Sequence, residues 1–337
     1  ILSNLKIDEK RQPQDGRFTF RLGEEEVDLR VSTLPTVHGE KVVMRLLKKS
    51  ENVPTLTDLG MRGSALNHVQ NAIQIPHGII LVTGPTGSGK TTTLYSVLDK
   101  INRPEVNIVT LEDPVEYQME GINQVQVNPQ AGLTFASGLR SFLRQDPNII
   151  MVGEIRDEET ANLAIQASLT GHLVFSTIHT NSAAGALPRL LDMNVEPFLL
   201  ASSMTLAMGQ RVPRKINPEM VEDYHPDEAV IADIEKVLGP FFKKYLEENK
   251  LTRDTVALKR KRSDLPPNQS EYRGRTGVFE VLPINDHISK MILEKKSAAE
   301  IEKAAMEEGM LLMKQDGYLK ALEGITTLEE VLRVAQI

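Results

Sequence analysis

Gly84-Pro85-Thr86-Gly87-Ser88-Gly89-Lys90-Thr91 is the stretch from which the fold can be read. It keeps every fixed position of the spacing G-x-x-x-x-G-K-S/T. The apolar run Ile79, Ile80, Leu81, Val82 precedes it, and a helix-forming segment to about Asn102 follows. Glycines let a chain turn tightly from strand to helix and bring backbone N–H groups close to an anion. Lys90 is placed to reach the outer phosphates of a nucleotide and the Thr91 hydroxyl to hold Mg2+, with Gly84 through Thr92 lining the phosphates. A glycine-rich turn formed by chance would need neither the lysine nor the hydroxyl. The expectation is a site for ATP with Mg2+.

Further short apolar strands are predicted at Asn107 to Leu111, Asn148 to Val152 and His172 to Ile178. Helical stretches at 134–144, 157–169 and 182–192 separate the later ones. This alternation predicts an α/β fold built on a mostly parallel sheet, in which ligands bind at the carboxyl ends of the strands. Chemistry-bearing residues stand at those ends. Ile149 to Val152 runs into Gly153 and Glu154, a carboxylate suited to Mg2+ or to an attacking water. Glu112, Asp113 and Glu116 follow another strand, where three carboxylates repel one another unless a metal or polarised water shares them. Their spacing does not decide which is the general base. His179 ends a strand expected beside that of Glu154, within reach of a γ-phosphate. His172 begins the same strand and is a second candidate.

The chain has 337 residues, 40% hydrophobic and 25% charged, a balance that suits two or three soluble domains. No apolar run is long enough to span a bilayer. Net charge is −7 and aromatic residues make up 4%; the isoelectric point is about 5.6. These values argue against a nucleic-acid partner, which calls for a basic stripe. The one basic run, Lys259 to Arg262, reads as a solvated loop. Cysteine is absent, so neither disulfides nor thiolate zinc sites are expected. Because the chain begins at Ile1 rather than Met, a piece of a longer protein is expected.

Five segments are expected. Residues 1–53 form a small α+β domain, in which Phe18, Phe20, Leu22, Val27, Leu29 and Val31 alternate with polar positions. Residues 54–63 are a linker and 64–211 the nucleotide-binding core. Residues 212–270 are an inserted, helical or partly mobile segment. Residues 271–337 hold a strand and a small helical subdomain set off by Ser297, Gly309 and Gly324.

Several blocks, taken together, resemble one family. Gly84–Thr91, Thr110–Glu116, Gly153-Glu154-Ile155-Arg156-Asp157 and Gly171-His172 with His179-Thr180-Asn181 are similar to the Walker A, Asp box, Walker B and His box of secretion-superfamily ATPases. The stretches Gly132 to Pro147, Leu29 to Thr33 with His38 to Leu46, and Tyr272 to Glu280 resemble the pilus-assembly and type II secretion members. The resemblance implies a RecA-like core preceded by a PAS-like domain, a homohexameric ring, and ATP hydrolysis powering type IV pilus extension. Pseudopilus assembly in type II secretion is the alternative. The Arg273 to Glu280 block is typical of assembly rather than retraction motors. An inner-membrane platform protein is the implied partner, and the implied place is cytoplasmic, peripheral on that membrane. Arg30 and Arg45 match arginines that close over nucleotide in the family, with Arg21 a further candidate. Many members carry a four-cysteine zinc module where this chain has Asn217-Pro218 and no Cys. Zinc is therefore not expected, and the insertion is expected to rest on apolar packing by Leu238, Phe241 and Leu246.

Overall fold

The computed structural model describes residues 1–23, 25–48, 53–266 and 268–335. Residues 49–52 and 336–337, at the ends of the first and last expected segments, lie outside the described residues. The chain divides into two compact units, Ile1–Val53 and Pro54–Ile337.

In the first unit, strands β1 (Gln14–Leu22), β2 (Glu25–Thr36) and β3 (Gly39–Lys48) form an antiparallel sheet in the order β1-β2-β3. Side chains alternate between the faces of a pleated strand, so the register assigns each face its residues. Phe18, Leu29 and Leu46 are directly opposite one another on one face, and Arg17, Arg30 and Arg45 on the other. Where an α+β domain was expected, the described residues of this unit form a sheet and no helix.

The second unit opens with α1 (Gly63–Ala72), β4 (Gly78–Thr83) and α2 (Lys90–Ile101), followed by β5 (Ile108–Glu112) and β6 (Asn123–Gln126). Next come α3 (Phe135–Phe142), β7 (Ile149–Val152), α4 (Glu158–Leu169) and β8 (Leu173–Ile178). The chain continues through α5 (Ala186–Leu191), α6 (Pro197–Ser203), β9 (Met204–Arg211), β10 (Arg214–Ile216) and β11 (Val221–Tyr224). Helices α7 (Glu228–Leu238) and α8 (Pro240–Asn249) precede β12 (Leu258–Lys261), β13 (Tyr272–Arg275) and β14 (Val278–Pro283). Four helices close the chain: α9 (Asp286–Leu293), α10 (Ala298–Glu307), α11 (Met313–Leu322) and α12 (Leu328–Ala335).

Seven strands form the main sheet in the order β14-β9-β4-β8-β7-β5-β6. All neighbours are parallel except β14, which runs antiparallel to β9 along one edge. Strands β4 and β8 are buried at every position, as the unbroken apolar runs of a sheet covered on both faces require. Leu81, Leu111, Ile150, Val174 and Ala207 lie in one continuous core with Ala161 and Leu187 of the covering helices. With β4, β8 and β7 adjacent and parallel, the turns that follow them emerge at the same end.

The segment 212–270 departs from the helical insertion expected. Besides α7 and α8 it contributes the antiparallel pair β11 with β12, and β10, which pairs antiparallel with β13 just beyond the segment. Ile231, Ile234, Leu238, Phe242 and Leu258 join Tyr318 and Val331 of the C-terminal helices in a second core. Phe242, not Phe241, takes the central place; Phe241 and Leu246 are only partly buried against it.

Candidate functional site

The phosphate-type turn is built on two glycines no other residue could replace. Gly84 has φ +147 and Gly89 φ +83. A Cβ on Gly84 would stand 2.5 Å from Ser88 Oγ and 2.7 Å from the Gln210 carbonyl, and one on Gly89 2.9 Å from Gln210 Nε2. Gln210, on neighbouring β9, thus packs against both ends of the turn, and its Oε1 accepts a 2.8 Å bond from Thr93 of α2. Gly89 caps α2 without a side-chain bond, leaving the first N–H groups of the helix free to meet an anion. Pro85, Thr86 and Gly87 are exposed, while Gly84 and Ser88 are buried and Thr91 and Thr92 half-buried. Ser88 Oγ is buried with no hydrogen-bond partner, a polar atom on the turn that protein does not satisfy. Lys90 Nζ donates to the carbonyls of Gly84 at 2.8 Å and Pro85 at 3.1 Å. Burial lowers its pKa, opposed by the charge of Glu154.

Two strands away, β7 delivers Glu154. Its carboxylate meets Arg156 Nη2 at 2.5 Å and His179 Nε2 at 3.5 Å. The ends of β7 and β8 are tied together: Thr177 Oγ1 donates to the Gly153 carbonyl at 2.7 Å, and Ser176 Oγ to that of Val152 at 2.8 Å. Arg156 is raised above its ordinary pKa, first by its hydrogen bond to Glu154 and also by the charges of Glu154 and Asp113. The structure therefore gathers Glu154, His179 and Arg156 into one cluster, with Asp113 contributing charge. Asp157, last of this run, accepts the Thr160 N–H at 2.8 Å as N-cap of α4.

Of the carboxylates after β5, Glu112 is the buried one. Only 2% exposed, it accepts from the Tyr95 hydroxyl, from Thr110 Oγ1 at 2.5 Å and from Gln124 Nε2 at 3.3 Å. Burial is the main cause of its raised pKa, and the three donors oppose the shift. Burial also raises the Tyr95 hydroxyl, as does the charge of Glu112. The carboxylate lies in a buried network, because the residue at the very end of β5 points into the layer beneath α2. Glu116 is half-buried, and its N–H donates to Tyr95 Oη at 3.3 Å.

His172 belongs to the opposite end of β8. Its Nδ1 lies 2.7 Å from the Ala167 carbonyl of α4, so it closes a helix end and is remote from the turn. In the first unit, Arg30 and Arg45 form no ion pair with any other described residue, whereas Asp28 bonds to Arg17 and Thr19. The basic run of the insertion is met by neighbouring acids and carbonyls: Lys259 by Asp223, Arg260 by Glu222, Lys261 by Pro266 and Gln269, and Arg262 by Asp264.

The residues fit Mg2+. The Thr91 hydroxyl and Glu154 carboxylate are hard oxygen donors, and Mg2+ binds through a few such groups plus phosphate and water rather than in an all-protein cage. Among the described residues no group of three or more His, Cys, Asp or Glu could hold a metal by itself. No described helix is long and apolar enough to cross a membrane. The sequence reading missed Tyr95, Arg156, Gln210 and Arg211, which sit around the site. Arg156 lies within a run that was noticed, but the other three take their place from packing between segments distant in sequence.

Comparison with known proteins places this geometry. A profile described as "Type II/IV secretion system protein" matches residues 1–333. The type II secretion system protein E of Pseudomonas aeruginosa is 49% identical over all of this chain and 64% of its own length. The type IV pilus assembly ATPase PilB of Thermus thermophilus is 48% identical over 98% of this chain and 36% of its own. The chain thus spans less than two thirds of either relative. The crystal structure of the pilus retraction motor PilT with bound ADP superposes with a TM-score of 0.69 at 27% identity, covering 96% of this chain and 77% of that one. The core around the turn is accordingly RecA-like, and the chain belongs to the type II/IV secretion system protein family.

Proposed function

We propose that this chain is the nucleotide-driven motor portion of a filament-assembling machine, hydrolysing ATP to ADP and phosphate. One observation carries the reading: the Gly84–Thr91 turn and the Glu154–His179 cluster emerge at the same end of three adjacent parallel strands. The turn's N–H groups and Lys90 bind the phosphates; to do so Lys90 exchanges the carbonyls of Gly84 and Pro85 for phosphate oxygens. Bound Mg2+, held by Thr91 and Glu154, would neutralise phosphate charge. Glu154 and Glu116 orient the attacking water, and His179 meets the γ-phosphate. Glu112 acts through Tyr95 by fixing the layer under α2. Arg30 and Arg45 are proposed to supply guanidinium charge to the phosphates, for which their planar donors are suited.

Phosphate release from Mg-ATP tests this. Lys90→Ala is expected to lower the rate at least ~100-fold, the scale set by losing a charged group aligned on a transition state. Glu154→Gln should keep nucleotide binding and lose turnover. Hydrolysis at the parent rate in Lys90→Ala would discredit the assignment.

The finer reading is pilus extension by a homohexamer, cytoplasmic and peripheral on the inner membrane through a platform protein. The Thermus thermophilus PilB likeness supports it. Pseudopilus assembly in type II secretion is the second reading, supported by the Pseudomonas aeruginosa likeness. A deletion strain separates them: loss of surface pili supports the first, and loss of exoprotein release with pili intact supports the second.

A further inference from the structure

We propose that Arg211 and Glu280 are positioning residues that seat the segment following His179 from two sides, and that hydrolysis depends on this seating. The inference rests on the reading of His179 given above. Arg211 ends β9 and is 4% exposed; Glu280 lies on β14 and is 3% exposed. Arg211 Nη2 donates to the Asn181 carbonyl at 3.2 Å. Glu280 Oε1 accepts the Ala183 N–H at 2.7 Å, and Oε2 the N–H of Met313, first residue of α11, at 3.4 Å. A buried cation and a buried carboxylate thus grip backbone groups two residues apart.

The space for this grip is prepared by Gly209, the register partner of Glu280. A Cβ there would stand 3.2 Å from both Ala183 N and Met313 Cε and 3.5 Å from Glu280 Oε1. The segment is also folded on itself: Thr180 Oγ1 donates to the Ser182 carbonyl at 3.0 Å, and Gly185 N to Ser182 Oγ at 3.1 Å. The same stretch of β9 braces the phosphate turn. Arg211 Nη1 donates to the Gln210 carbonyl at 3.0 Å, the atom that a Cβ on Gly84 would approach to 2.7 Å. One strand therefore fixes the phosphate turn on one side and the His179 segment on the other. Burying two charges is costly where apolar packing would serve. Their use on the backbone of a single segment points to a demand for its position.

The full chain with Glu280→Leu, and separately Arg211→Gln, is compared with the parent in three ways. These are hydrogen exchange of residues 179–185, affinity for a fluorescent ADP analogue, and kcat and KM for Mg-ATP. Expected are faster exchange in that segment and kcat lowered ~10-fold or more in both, with ADP affinity within ~3-fold of the parent in the Glu280 variants and Glu280→Gln retaining part of the rate because its carbonyl still accepts from Ala183. In a His179→Ala background the anchor variants should lower kcat by less than ~2-fold further, since groups acting as one unit are not additive. Unchanged exchange in both anchor variants, a fully additive loss with His179→Ala, or, in a Glu280 variant, a fall in ADP affinity matching the fall in kcat would each overturn the proposal. Should Glu280→Leu not fold, Glu280→Gln carries the affinity criterion, and it and Arg211→Gln together carry the exchange and kcat criteria. His179→Ala alone leaves both anchors intact, so an unchanged rate there counts against the function assigned to His179, whereas exchange in 179–185 tests the seating itself.

Discussion

Tyr95 shows how one residue sets the character of another. Its hydroxyl donates to Glu112 inside the layer between α2 and β5, and both side chains are cut off from water. Tyr95→Phe removes one of three donors to a buried carboxylate. It is expected to cost about 1–3 kcal/mol, the range for leaving a buried acceptor short of a partner, read as a lower urea midpoint with unchanged slope. The phosphate turn was legible in the sequence because its chemistry is local: eight consecutive residues carry the glycines, the cation and the hydroxyl. Glu112 was not, because its burial depends on Tyr95 and Gln124, which only the folded sheet brings to it. Arg156 is an intermediate case, since its run was noticed but its bond to Glu154 follows from the chain's turn after β7.

At the scale of elements, periodicity located the parallel strands well. Gly78–Thr83 agrees with the strand expected, and β7 and β8 lie within a residue of theirs. The strands β6, β9, β10, β11, β12 and β13 went unrecognised. Strand β9 mixes Thr205, Gly209, Gln210 and Arg211 with apolar residues, so neither alternation nor an unbroken apolar run marks it. The pairing of β10 with β13 joins segments far apart in the chain, and no local pattern announces it. Helix starts are clearer, because a cap is a local bond. Asp157 caps α4 by accepting from Thr160, so Asp157→Ala should cost about 1 kcal/mol and Asp157→Asn nearly nothing, measured by chemical denaturation. This also gives the last acid of the Gly153–Asp157 run a structural task that its motif position does not disclose.

For the molecule as a whole, two buried carboxylates give stability opposite dependences on pH. Burial raises Glu280 to about 7, against the N–H bonds from Ala183 and Met313 and the charge of Arg211. A folded value above the unfolded value near 4.5 favours the fold while the group is protonated. That contribution is complete below pH 4.5 and lost as pH rises to about 7, a change of up to about 3 kcal/mol. Glu330 behaves conversely. Burial opposes its charge, but hydrogen bonds from Arg333 and Arg214 outweigh burial and bring it down to about 2. Its contribution is present above pH 4.5 and lost as pH falls toward 2. Urea midpoints measured from pH 3 to 8 should show the parent losing stability between pH 4.5 and 7 and Glu280→Gln losing less; Glu330→Gln should flatten the acid limb.

The sheet of the first unit has a practical corollary for anyone handling the protein. Phe20, Val42, Met44 and Leu46 lie on one side of it and are half or more open to water, a greasy surface of the sort that makes purified chains cling to one another. Such clinging strengthens with sulfate and weakens with mild chaotropes. Turbidity and light scattering should therefore climb in ammonium sulfate well before the second unit loses its structure, and Leu46→Lys should delay that climb without shifting the melting of the RecA-like core.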